Sequence, residues 1–99
     1  MARQKLYIVQ TINLYKDDLG HFFNYTDSYF PPYIFTSQKK AFDFINRLIK
    51  EWRISGYKIE HEPENPQERC KAFMVTHWSM IDAYEERKMV ITLDCQYPM

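Results

Sequence analysis

The run from Thr36 to Gly56 limits the folds open to this chain more than any other stretch. Thr36 or Ser37 can cap a helix at its start, and Gly56 suits the left-handed position that closes one. At 100° per residue, Ala41, Phe42, Ile45, Leu48, Ile49 and Trp52 fall within an arc of roughly 120°, the width of a core-facing stripe. Burying the larger of these is worth about 1.5–3 kcal/mol each before entropy is subtracted. Ile54 lies off the stripe. This is the one strong helix, and much of the remainder reads as strand. One helix covers one face of a sheet, so the second face must be solvated or meet something else.

The strand signals are alternations. In residues 5–15, Leu6, Ile8, Ile12 and Leu14 point one way, and Tyr7, Val9, Thr11, Asn13 and Tyr15 the other. Lys16 to Gly20 carries turn chemistry, with Asp17 and Asp18 for local hydrogen bonds and Gly20 for positive φ. A return strand over 21–30 ends at Pro31 and Pro32, which cannot donate to a ladder. Tyr33 to Phe35 can re-enter the sheet. Beyond the helix, residues 57–62 alternate as an edge strand, with Tyr57, Ile59 and His61 opposite Lys58, Glu60 and Glu62. Residues 70–80 and 88–94 are rich in strand formers. A hairpin between them is preferred to a short helix capped by Ser79.

These elements predict one α+β domain over residues 1–99. Its single, mostly antiparallel sheet has four to five strands, with one main helix on one face, in the order β-β-α-β-β-β. In the first and last strands the second face is more apolar than a wet face needs to be. The aromatic loop at 22–35 could fold over it, or a second subunit could, and a homodimer is the expected cover.

Lys plus Arg equals Asp plus Glu, 13 of each. Such a balance gives no global field toward nucleic acid or an anionic membrane. No apolar run is long enough to cross a bilayer, and no signal-peptide core follows Met1. A cytoplasmic protein is therefore expected, with Cys70 and Cys95 reduced and packed.

The chain offers five candidate sites. His61, Cys70, His77 and Cys95 are ligand types that zinc accepts, but they lack the close pairwise spacing of structural sites. His77 and Cys95 would approach only if their strands pair, and no metal or other cofactor is assigned. A thiol–imidazole pair from Cys70 or Cys95 with His77 is the faint enzyme alternative. Nothing nearby would lower a thiol pKa, and two glycines in all offer little for a phosphate cradle; the chain reads as non-catalytic. Glu60 and Glu62 fall on one strand side, where they could hold a divalent cation weakly.

The helix carries Lys39, Lys40, Arg47, Lys50 and Arg53 on its outer side, an alternative nucleic-acid face. Asp43 lies four residues from both Lys39 and Arg47 and is expected to neutralise the middle of it. Single-strand binders interleave rings with cations, whereas here residues 17–38 hold the rings and no Lys or Arg. Seven aromatics fall within residues 22–35, more than a small core needs. Phe22, Phe23, Tyr25, Tyr29, Phe30 and Tyr33, with Phe44 and Trp78, are the candidate protein interface.

Two stretches share a layout with a known group. Tyr7 and Val9 open the first strand, and Ile34, Phe35, Ser37 and Ala41 lead into the helix. This resembles small uncharacterised phage and mobile-element proteins, in which a strand of the type Y-x-V precedes V-F-x-S-x-x-x-A at a helix start. The resemblance spans about the first half and implies a small α+β accessory protein, with no site residues carried over. The aromatic stretch departs from that pattern and is where specificity would lie. The reading is a non-catalytic, self-associating protein-binding accessory domain. A nucleic-acid-binding accessory protein is the alternative, and a thiol- or metal-dependent enzyme the third.

Overall fold

The computed structural model describes residues 5–24, 32–66 and 75–96. The chain runs β1 (Leu6–Lys16), β2 (Phe22–Asn24), β3 (Tyr33–Phe35), α1 (Gln38–Ile54), β4 (Lys58–His61), β5 (Thr76–Ile81) and β6 (Arg87–Gln96). All pairings are antiparallel. The sheet order is β2-β1-β6-β5-β4, with β3 also on β1. Among the described residues the sheet has six strands, and Tyr33–Phe35 re-enters it as a short strand paired with Tyr7–Val9. β6 lies in the middle, hydrogen-bonded to β1 along ten register pairs and to β5 on its other side.

Local chemistry sets the element ends. Ser37 Oγ accepts from the Lys40 amide at 3.4 Å and caps α1. At the other end Gly56 has φ 101°. Its amide donates to the Arg53 carbonyl and that of Tyr57 to the Trp52 carbonyl, the paired closure that ends many helices. The Tyr57 ring then stands edge-on to Trp52, centroids 4.7 Å apart. In the first hairpin Asp17 Oδ1 accepts from the amides of Leu19 and His21. The 82–86 segment is a hairpin turn, not a helix: Asp82 Oδ1 accepts from Glu86 and Arg87, and Glu85 takes φ 57°.

The core lies between α1 and one face of the sheet. Tyr7, Val9, Ala41, Ile45, Trp78, Met89, Ile91, Leu93 and Cys95 are buried there, with Phe42, Leu48, Ile49 and Trp52 packed against them. Ala41 and Ile45 are wholly buried and Ile54 is 78% exposed, as the stripe requires. Register decides which face the helix takes. Val9 pairs with Leu93 and Thr11 with Ile91, so the Tyr7 row joins the Met89, Ile91 and Leu93 row under α1. The Leu6, Ile8, Ile12 and Leu14 row falls on the other side. The more aliphatic row of β1 is thus the one that the helix does not cover.

Candidate interaction surfaces

The open face is built from alternate residues of the two long strands. Ile8 pairs with Ile34 on β3 and Asp94 on β6, Ile12 with Val90, and Leu14 with Lys88. Leu6, Ile8, Ile12, Leu14 and Val90 are half-buried and Ile34 is 60% exposed. Among the described residues, neither a helix nor a second sheet lies over them. The hairpin end of this face is polar. Lys88 Nζ meets Glu60 Oε1 at 2.7 Å, Ser79 Oγ donates to the same oxygen at 3.4 Å, and Lys88 also stands 4.5 Å from the Phe22 ring centroid. Both partners of the ion pair are partly solvated, so it contributes under about 1 kcal/mol. Lys16, Phe22, Lys58, Glu60, Ile81 and Glu85 line a groove of about 360 Å³ beside it. At the other end Asp94 accepts from Gln96 at 2.6 Å.

The β4 edge is poorly suited to further pairing. β4 has four exposed residues, including Lys58, and its register with β5 shifts between Ile59 and His61. Such a bulge blunts an edge. It also breaks the alternation expected for residues 57–62. Glu60 reaches Ser79, and His61 pairs with Ser79 and stacks on His77. Glu60 is therefore engaged by Lys88 and Ser79, not poised beside Glu62 for a cation.

A second surface runs along the outside of α1. Lys39, Lys40, Arg47, Lys50 and Arg53 are all exposed. Asp43 does not neutralise them through the expected ion pairs: it makes none within 4.0 Å among the described residues. Arg47 instead places its guanidinium 5.4 Å from the Phe44 ring centroid. Phe44 contacts Tyr33 at 4.6 Å and Phe35 at 5.3 Å. Phe35, Lys40, Asp43, Phe44 and Arg47 line a groove of about 360 Å³. Rings and cations that are separate in sequence are thus adjacent in space.

The aromatic set does not form one patch. Phe22 belongs to the open face. Phe23 and Tyr33 are 42% and 46% exposed, and their partners Tyr15 and Val9 place them on the helix side. Tyr25, Tyr29 and Phe30 lie outside the described residues. Trp78 is corrected from contact surface to core: it is 6% exposed and stands edge-on to Phe42, because residue 78 pairs with Ile91 on the helix side. The alternation of β1 marked Leu6, Ile8, Ile12 and Leu14, but none of these, nor Val90 and Ile34, was singled out as contact surface.

The cysteine and histidine expectations also change. Cys95 is disulfide-bonded and 1% exposed. Cys70, the chain's other cysteine, lies outside the described residues. Cys95 is therefore not the reduced, packed thiol that the sequence suggests. Cys95 lies on the helix side, paired with Tyr7, whereas His77 pairs with Thr92 on the open side. The two do not approach, and a disulfide sulfur is no nucleophile or zinc ligand. His61 and His77 stack nearly parallel, centroids 4.3 Å apart. Among the described residues no group of three ligating side chains forms. Burial raises the pKa of Tyr57 and the charge of Asp82 adds to it, while Arg87 acts the other way. No described helix is long and apolar enough to cross a membrane. Comparison with family models, curated proteins and solved structures finds no match.

Proposed function

We propose that this chain is a non-catalytic protein-binding module that associates with a second copy of itself through the open face of its sheet. The observation that carries this is the aliphatic row Leu6, Ile8, Ile12 and Leu14, continued by Val90 and Ile34, on the face away from α1. Strands of this length, about 4.8 Å apart, span several hundred Å². That is the order of the ~800 Å² per partner in a standard interface. The bulged, charged β4 edge disfavours edge-to-edge association on that side.

Charge supports a two-fold arrangement. Lys88 and Asp94 lie on the open face, toward opposite ends of β6. A second copy laid antiparallel across it sets Lys88 of each copy opposite Asp94 of the other, with the aliphatic row between. Sedimentation at micromolar concentration tests the proposal. The native chain is expected as a dimer, and Ile12→Asp as a monomer with unchanged circular dichroism. Asp94→Lys should weaken the dimer, and adding Lys88→Asp should restore it. A native chain that sediments as a monomer overturns the reading. Failure of the double variant alone rejects the two-fold register and leaves the face.

A further inference from the structure

We infer that the outer flank of α1 binds single-stranded nucleic acid, with a base stacked on Tyr33 beside Phe44 and the phosphates on Lys40 and Arg47. Three observations converge. Five exposed cations on α1 make no ion pair among the described residues, although the chain as a whole is neutral. The helix sets these cations against two carboxylates, Asp43 and Glu51, while other carboxylates gather at Glu60, Glu62 and Glu64 around β4 and at Asp82, Glu85 and Glu86 in the β5–β6 turn. Tyr33 is 46% exposed and continues the Phe44 and Phe35 ring cluster to the surface. Arg47 spans both functions: its guanidinium sits over Phe44 and its charge borders the groove.

The groove, about 360 Å³, is at the small end of ligand-sized clefts. Exposed ring faces suit unstacked bases of any identity, and neighbouring cations follow the backbone. A duplex keeps its bases stacked and would use only the cations. An acidic peptide would likewise leave Tyr33 without a role. Asp43 lies in the same groove and repels phosphate, which confines the backbone to its margins at Lys40 and Arg47. This surface is on the opposite side of the sheet from the dimer face, so the two tests are independent.

Fluorescence anisotropy of a labelled oligo-dT across a salt series tests the inference on the native chain. Two to four neutralised phosphates predict a log–log salt slope of about −1.4 to −2.8. Arg47→Ala should weaken binding severalfold and reduce the slope by about 0.7. Tyr33→Ala should weaken binding about fivefold or more, with the slope unchanged. Asp43→Asn should tighten it. Phe44 is left intact because it packs against the core, and thermal melts verify that each variant is folded. A flat slope overturns the inference. So does Tyr33→Ala binding as well as the native chain, or polyglutamate or duplex competing as strongly as oligo-dT.

Discussion

Thr76 offers a test of how the core is assembled. Thr76 is 2% exposed, and its hydroxyl oxygen has no hydrogen-bond partner among the described residues. It pairs with Leu93 on the helix side of the sheet. An unpaired buried hydroxyl costs about 1–3 kcal/mol relative to one left in water. Valine has nearly the same shape and puts a methyl group in its place, so Thr76→Val should stabilise the fold by about 1–2 kcal/mol. At this chain length each kcal/mol moves the melting temperature by about 4–8 °C. A rise on the order of 5–15 °C is therefore expected in a calorimetric or circular-dichroism melt. Thr76→Ser is the control. It keeps the hydroxyl and drops the methyl, and should lower stability by about 1 kcal/mol. If valine lowers the melting temperature as serine does, the hydroxyl has a partner in solution and the reasoning fails.

Two further outcomes follow from side chains near the core. Reducing the disulfide at Cys95 should cost about 3 kcal/mol, read as a lower urea midpoint; Cys95→Ala should be insensitive to reductant, and a native chain equally insensitive refutes the assignment. Because burial raises the pKa of Tyr57, the fold favours its neutral phenol. That preference is fully present below the ordinary value of 10.0 and is lost as pH rises through the folded value. Urea midpoints should fall as pH rises from 10.0 through the folded value, and fall less in Tyr57→Phe; equal slopes for the two proteins would contradict it.

What was legible in the sequence was local. The Ser37 cap, the Ala41 to Trp52 stripe and the Gly56 stop lie within one continuous segment and set their own geometry. The Asp17 and Asp82 turns are local in the same sense. The choice of sheet face was not legible, because it depends on the β1–β6 register, which joins residues far apart in the chain. Trp78 was misplaced for a related reason: β5 is buried on both sides from Trp78 to Ile81, so no alternation marks its inner row. The bulge at Glu60 carries no glycine or proline to announce it. At the second surface, Tyr33 and Arg47 belong to different elements, and only the packing of Phe44 between β3 and α1 brings them together. The oxidation state of Cys95 is a matter of distance in three dimensions, on which spacing is silent.

The central place of β6 bears on how the molecule comes into being. Because Arg87–Gln96 stands between β1 and β5, the described strands made earlier pair as two separate ribbons, β1 with β2 and β3, and β4 with β5, with α1 touching both. Domains usually fold as units while the ribosome adds residues from the N-terminus, and pairing distant segments is slow. Pairing across this sheet is not stepwise: its central strand is made after the strands that it joins, and the halves wait for it. A nascent chain arrested before residue 87 should present the Ile8 and Val9 edge of β1 unpaired, the state in which a chaperone would find it.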